Sequence, residues 1–372
     1  MRTHLRYPLL LAAWLCGCGA NADSAATSPR PPSARPPAVP ALPADAVAPF
    51  EVHEWGLVRG GYNDVIVVGG SMPEMMAMAV AKPILYFHLG TNEPLQVDVT
   101  ARMGPGGTIA ESWPIAAAAN APSAHWSARV THGSCHHGRL PSLNEPPCLN
   151  LVDGCESATL ATVESDDADC VTVGLQSANH LFYRGTLVGV DPLPLVVELQ
   201  PNGTIRVRNR STEVIPGVLL RVRLAGGQAR VTDAAIRATP PAPGASVDIP
   251  VPTGTTVAAA AEVSTMLGGL GLTAGETAAF RRAWDMSLFR LDQGAMADQP
   301  IWLPNAPYPV HAGAVPAVTA APMATLTAPR TTESLVYFLP PAAVEQLATL
   351  EITPRPTHIR RAIAVWLQLP TP

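Results

Sequence analysis

The chain has 372 residues, of which 14% are charged and 47% are hydrophobic, and its formal net charge is −5 at pH 7. This length is enough for one large domain or two smaller ones. The acidic balance argues against a general nucleic-acid-binding protein, because neutralising phosphates requires a dominant positive field.

The first twenty residues, MRTHLRYPLLLAAWLCGCGA, have the pattern of an export signal. Arg2 and Arg6 form a positive segment, followed by an apolar run at residues 8–14. This run is too short to cross a bilayer, because a transmembrane helix needs about 20 apolar residues. Leu15-Cys16-Gly17-Cys18 resembles a bacterial lipobox. The resemblance implies a signal peptide at residues 1–17 and lipid on Cys18, with an acyl group such as palmitate on the new N-terminus. An ordinary signal peptide cut near Ala20 or Ala22 is the alternative.

A lipid on Cys18 anchors the chain to a membrane without spanning it, since each buried CH₂ contributes about 0.8 kcal/mol. In the lipoproteins that the lipobox resembles, an aspartate after the cysteine favours the inner membrane. This chain has Gly19, so the outer membrane is expected. Residues 18–49 are rich in Pro and Ala, and such a segment favours extended polyproline II, which predicts a stalk between the anchor and a folded domain at residues 50–372.

The cysteines after Cys18 all lie in the loop at residues 131–170: Cys135, Cys148, Cys155 and Cys170. An even, clustered set in an exported chain predicts two disulfides. Three pairings are possible; Cys135–Cys170 enclosing Cys148–Cys155, and two successive loops, are the favoured ones.

A metal site is the competing interpretation of this loop. His132, His136 and His137 flank Cys135, and an acidic group precedes Cys170: Glu164, Asp166, Asp167 and Asp169. Zinc prefers Cys and His ligands, yet the loop has no CxxC pair, and the acidic group lacks the spacing of a calcium loop. The loop is therefore predicted to contain disulfides and solvated histidines and no cofactor, with His136 and His137 as the candidate ligands if a metal binds.

Beyond residue 50, short apolar runs alternate with turn residues, which predicts a mainly β, α+β fold. LQVDVTARM alternates apolar and polar residues, and Asn202-Gly203 and Gly226-Gly227 mark hairpin turns. These segments and SVDIPVP have the strand rhythm of an immunoglobulin-like β-sandwich. If the two hairpins pair, five arginines form a basic face for an anionic glycan or for lipid head groups, and a solvated face is the alternative: Arg206, Arg208, Arg210, Arg221 and Arg223. An envelope protein is the other expected partner.

Two helices are predicted later in the chain. Thr273 and Glu276 form a capping-box pattern, followed by apolar residues at helical spacing from Phe280 to Leu291. A shorter helix starts at Pro341, a closing strand covers residues 362–369, and residues 300–329 form a Pro/Ala-rich loop.

The segment EVHEWG at residues 51–56 predicts a strand in which His53 and Trp55 lie on one face and Glu54 on the other. Neighbours on one strand therefore cannot form a His–Glu pair, and Leu57 occupies the position of the second histidine of HExxH. A catalytic site would need distant residues that stand at the ends of strand-like runs. The candidates are His53, His88, His180 and Arg184.

The segments VHEWG, KPILYFH, LFYRG, AWDMSLF and LEITPRP resemble an exported bacterial family that opens with a HEWGTF-like motif. This chain departs from the motif at Leu57-Val58. The family has no assigned activity, so the resemblance implies one domain that joins the N- and C-terminal segments and implies no chemistry.

Two functions remain. The first is a lipid-anchored protein of the cell envelope, facing the periplasm or the outer membrane, whose β-rich domain binds a ligand or has a structural role. The second is a secreted-type hydrolase or a metal-binding enzyme of the envelope. A redox or metal protein built on Cys135 and His136 would require free thiols.

Overall fold

The computed structural model describes residues 47–60, 65–67, 78–114, 116, 121–133, 135, 162–187, 193–225, 232–291 and 331–369. The strands in these ranges are β1 (Val47–Gly60), β2 (Val65–Val67), β3 (Met78–Leu89), β4 (Leu95–Met103), β5 (Thr108–Trp113), β6 (Ser123–Thr131), β7 (Cys170–Val173), β8 (Gln176–Ala178), β9 (Leu181–Leu187), β10 (Leu195–Leu199), β11 (Ile205–Asn209), β12 (Leu219–Leu224), β13 (Ala234–Ala238), β14 (Ser246–Ile249), β15 (Thr332–Phe338), β16 (Ala348–Thr353) and β17 (Arg355–Leu369). The helices are α1 (Thr256–Gly269), α2 (Ala274–Phe289) and α3 (Pro341–Leu347). The mainly β, α+β fold class is confirmed.

The strands form three sheets. The largest has eight strands in the order β13-β12-β15-β17-β1-β3-β9-β5. A second sheet has the order β14-β11-β10-β2, and a third has the order β16-β4-β6-β7-β8. Near the middle of the largest sheet, β1 pairs with β17 in parallel and with β3 in antiparallel orientation.

The eight-stranded sheet is apolar on both faces, and each face has its own core. On one face Trp55 and Ile84 pack with residues of α1 and α2, such as Val263 and Phe280. On the other face the two smaller sheets and α3 complete the second core. Since side chains alternate between the faces of a strand, each strand at the middle of this sheet contributes to both cores.

Several sequence predictions are confirmed at the level of elements. β4 has the predicted alternation of buried and exposed residues, and β10 and β11 form the antiparallel pair around Asn202-Gly203. β12 also pairs with a following strand, but that strand is β13 at Ala234–Ala238, later than predicted. The turn at Gly226-Gly227 lies outside the described residues.

Helix α2 begins with the predicted capping box at Thr273 and ends at Phe289, so Leu291 lies just beyond it. The helix α1 was not predicted. β17 begins at Arg355, seven residues before the predicted start at residue 362, because it pairs along the length of β1. Within the described residues, no helix is long and apolar enough to cross a membrane.

Cys135 and Cys170 form a disulfide, which excludes the pairing in two successive loops. Several predictions concern residues outside the described ranges: the signal peptide, Cys18, most of the stalk, His136, His137, Cys148, Cys155 and the loop at residues 300–329. β1 begins at Val47, so this strand includes the last three residues of the segment predicted as a stalk.

Candidate functional site

Two histidines and a glutamate from three different elements meet above the eight-stranded sheet. Nδ1 of His53 on β1 lies 3.0 and 2.9 Å from the two carboxylate oxygens of Glu276 on α2. Nε2 of His88 on β3 lies 2.7 Å from Oε1 of the same carboxylate. The two imidazole rings are 4.4 Å apart. We call these three side chains the His–Glu–His cluster.

The register of β1 and β3 brings the histidines to one face of the sheet. Glu51 is opposite His88, and His53 is opposite Tyr86. Directly opposite side chains on antiparallel strands share a face, and so do residues two apart on one strand. Glu51, His53 and His88 therefore all project toward α2.

An aromatic contact places the glutamate above the histidines. Trp55 follows His53 by two residues on β1, Phe280 follows Glu276 by four on α2, and the rings of Trp55 and Phe280 are 5.4 Å apart. Two residues of a strand advance about 6.7 Å and four residues of a helix advance about 6 Å. Because the two advances match, packing Phe280 on Trp55 sets Glu276 over His53.

The first turn of α2 holds the carboxylate in a fixed orientation. Glu276 Oε2 accepts a hydrogen bond of 2.8 Å from the Thr273 amide, and Thr273 Oγ1 accepts one from the Glu276 amide. This reciprocal pair is the capping box. The Thr273 amide binds Oε2, which also lies 2.9 Å from His53 Nδ1, whereas Oε1 is the oxygen that both His53 and His88 contact.

The other ring nitrogen of His53 faces a second carboxylate. Nε2 of His53 lies 3.4 Å from Glu51 Oε2, and Arg360 Nε donates to the same oxygen at 3.1 Å. Arg360 is opposite His53 on β17. The ring is thus held from both nitrogens, with Glu276 on one side and Glu51 on the other.

Residues 162–170 form a cover along one side of the cluster. Their backbone accepts hydrogen bonds from the Tyr86 hydroxyl and from Arg282, while Asp167 accepts one from the Gly275 amide at 3.1 Å. Asp169 accepts a hydrogen bond from the amide of Leu89, next to His88. The cover ends at Cys170, which the disulfide joins to Cys135.

The charges of the cluster reinforce each other. Burial alone would raise the pKa of Glu276, but the hydrogen bonds from His53 and His88 outweigh it and lower the pKa to about 2. Burial would lower the pKa of His88, yet the hydrogen bond and charge of Glu276 raise it above its ordinary value. The side chain of Glu276 is fully buried, whereas that of His88 is 21% exposed, so solvent reaches the cluster beside His88.

Glu54 belongs to a separate buried group on the opposite face of the sheet. It accepts hydrogen bonds from the Tyr183 hydroxyl at 2.6 Å and from Arg361 Nε at 2.5 Å. Burial raises the pKa of Tyr183 well above its ordinary value, and the charge of Glu54 adds to this effect. The prediction that His53 and Glu54 cannot act as a pair is confirmed.

Two of the four predicted catalytic candidates, His53 and His88, are in the cluster, and two are not. His180 is fully buried immediately before β9, with Nδ1 3.0 Å from Asn179 Oδ1 and its ring 6.3 Å from that of Tyr86. Arg184 is half-buried on β9, opposite Glu111 of β5. Glu276 was predicted only as part of a helix cap.

The predicted basic face does not form, because β11 and β12 lie in different sheets. Arg206 is exposed and paired with Asp248 at 2.8 Å. Arg221 is buried, and it donates to Glu333 and to the Ile249 carbonyl. In the disulfide loop, the prediction of solvated histidines holds for His132, which is exposed 3.1 Å from Asp169.

No protein-family model matches the chain, and no curated protein matches it.

Proposed function

We propose that the chain is a lipid-anchored protein of the cell envelope whose β-rich domain binds a ligand at the His–Glu–His cluster. The observation that carries the binding site is the position of His88, whose partly exposed ring contacts the fully buried carboxylate of Glu276. Buried polar groups that open to solvent at one point, within an otherwise apolar interface, are the usual composition of a ligand site.

The lipobox and the stalk support the location. The Pro- and Ala-rich residues 20–46 precede β1, and a polyproline II segment advances about 3.1 Å per residue, so the stalk separates the domain from the membrane surface. The anchor keeps the domain in the envelope, and the cluster provides the domain with a ligand-binding site.

A hydrolase of the envelope is the second candidate, because two histidines and a carboxylate also occur in metal-dependent hydrolases.

The first prediction tests the anchor through Cys18→Ser. We expect the full chain to lose its membrane fraction and to appear as soluble or unprocessed protein, because a serine carries no thioether-linked lipid. The measurement is membrane fractionation with metabolic labelling by a fatty acid. Cys16→Ser is the matched control, since a small residue two positions before the lipidated cysteine is retained. An unchanged, labelled membrane fraction of Cys18→Ser contradicts the proposal.

The same fractionation distinguishes the two membranes. On a density gradient the chain is expected with the outer membrane, and Gly19→Asp is expected to move it to the inner membrane. A chain that stays with the inner membrane without this substitution contradicts the outer-membrane assignment and leaves the anchor itself in place.

A further inference from the structure

We propose that the His–Glu–His cluster binds one divalent transition-metal ion through His53 Nδ1, His88 Nε2 and Glu276 Oε1. This inference deepens the proposed function, since it rests on the same cluster as the ligand site and names the class of ligand. Zinc is taken as the reference ion for bond lengths and coordination number. The chemistry of two imidazoles and one carboxylate also suits iron, cobalt and manganese.

The donor atoms are close enough to share one ion. One ligand atom from each of the three side chains lies within 4.8 Å of the others. Zinc bonds to nitrogen and oxygen are about 2.0–2.2 Å long, so two ligands on one tetrahedral ion are roughly 3.3 Å apart. Among the proposed ligand atoms, Glu276 Oε1 lies 3.0 Å from His53 Nδ1 and 2.7 Å from His88 Nε2. An ion is accommodated when the three side chains move apart by several tenths of an ångström.

The surroundings of His53 match those of a histidine that binds a metal. Such a histidine donates its other ring N–H to a carboxylate or a carbonyl, which fixes the ring and makes the ligating nitrogen more basic. Here Nδ1 faces Glu276, Nε2 faces Glu51, and Arg360 holds Glu51 in turn. A histidine that serves only to satisfy a buried glutamate has no need of this second carboxylate.

The surroundings of Glu276 also match. The capping box takes Oε2 through the Thr273 amide, so Oε1 is left as the monodentate ligand atom. A carboxylate that is held by its own hydrogen bond keeps its ligating oxygen in place when the ion leaves. The helix cap and the metal ligand are then two uses of one side chain.

The ion keeps one position open toward solvent. Among the described residues, the group of closely spaced potential ligands has three members, whereas a closed structural zinc site has four. The exposed part of the cluster is at His88. A water molecule or an oxygen of a small anionic ligand completes the coordination there, which separates this site from a purely structural one.

The experiment is metal binding by the full chain in detergent, after removal of bound ions with a chelator. We expect the chain to take up one Zn²⁺, measured by elemental analysis and by titration calorimetry, and to give a visible absorption band with Co²⁺. His88→Ala and Glu276→Gln should each lose this ion. Glu51→Gln, which removes only the charge behind His53, should weaken binding by about 10–100-fold and leave the stoichiometry unchanged.

Two controls make the result specific. His125→Ala removes an exposed histidine on β6 and should bind metal as the unmodified chain does. The double variant His136→Ala/His137→Ala removes the competing ligands predicted from the sequence and should also keep the ion. Thermal unfolding of each variant without metal identifies any that fail to fold.

Two outcomes overturn the inference. One is an unmodified chain that takes up no Zn²⁺ or Co²⁺, and the other is an ion that only the His136/His137 double variant loses. The unmodified chain alone decides the first outcome, so a variant that unfolds does not prevent a decision. A chain that binds no metal does not change the result expected from the Cys18→Ser fractionation. A chain without a lipid anchor does not change the result expected from the metal titration.

Discussion

At the scale of single residues, β1 carries ionisable side chains to both faces of the largest sheet. His53 enters the cluster under α2, and the next residue, Glu54, enters the opposite core with Tyr183 and Arg361. Two adjacent positions thus place polar groups in two separate apolar environments. The folded state tolerates each buried group only because the group is hydrogen-bonded, since an unpaired buried charge is strongly destabilising.

Arg361→Met tests the group on the far face. Its removal leaves the carboxylate of Glu54, which is fully buried, without its cation. We expect the free energy of unfolding to fall by about 3–5 kcal/mol, the usual cost of breaking a buried pair. Chemical denaturation monitored by circular dichroism measures the loss.

Arg206→Met is the matched control for this prediction, because Arg206 pairs with Asp248 on an exposed surface. It should leave the denaturation midpoint nearly unchanged. Equal effects of the two substitutions would show that the burial of the Glu54 group does not contribute to stability.

At this scale, two of the three residues of the cluster could be predicted from the sequence. His53 and His88 were candidates because each stands on a strand-like run, and the alternation along β1 correctly separated His53 from Glu54. Glu276 had a sufficient local explanation as the third residue of a capping box, so nothing in its neighbourhood indicated a second role. His53 and Glu276 are separated by 223 positions in the sequence, which is too far apart for a short motif to link them.

At the scale of elements, backbones approach closely where β9 lies between β3 and β5. Gly185 sits opposite Val80 on one side and Ile109 on the other. A Cβ atom added to Gly185 would lie 2.1 Å from the Thr108 carbonyl oxygen. The position requires glycine because this neighbour is backbone and cannot rotate away.

Gly185→Ala is therefore expected to lower the free energy of unfolding by about 1–3 kcal/mol, as overpacking does. Gly268→Ala is the matched control: a Cβ there meets nothing within 4 Å, and Gly268 lies in α1. Alanine in that helix is expected to be neutral or to stabilise by up to about 1 kcal/mol. Thermal unfolding of both variants decides the matter, and a Gly185→Ala protein as stable as the unmodified chain refutes the argument.

The elements that the sequence predicted correctly have strong local signals, namely the alternation in β4, the Asn202-Gly203 turn and the capping box of α2. α1 was missed because alanines occupy its exposed face as well as its buried face, which removes the contrast between them. Its buried residues do recur at helical spacing: Thr256, Ala259, Ala260, Val263, Met266 and Leu267. The pattern was present, but small residues made it weak.

At the scale of the whole molecule, the two ends of the folded region lie side by side. β1 pairs in parallel with β17 from Val47 to Gly60, so residues about 300 apart in the chain share one ladder. No local pattern predicts such a pairing. The spread of short family-like segments from residue 52 to 356 favoured one domain, and the sheet order is consistent with that expectation.

Ending the chain after Pro354 removes β17 and is expected to prevent folding, because β1 and β15 then lose the strand between them. Circular dichroism and limited proteolysis of the full chain and of the shortened chain measure the outcome. Ending the chain after Leu369, where β17 ends, is the matched control and should fold. A chain without β17 that still unfolds cooperatively contradicts the single-domain interpretation.

The central position of β1 also has a mechanical consequence. Tension applied to β1 along its own axis acts across its ladder hydrogen bonds, which are perpendicular to the strand in the antiparallel pair with β3 and slanted in the parallel pair with β17. Under such a load the bonds on both sides resist together in shear and do not open one by one. Glu51 and His53 lie within the first seven residues of that strand, so a pull on the N-terminal end of β1 reaches the His–Glu–His cluster directly, through the backbone that carries His53.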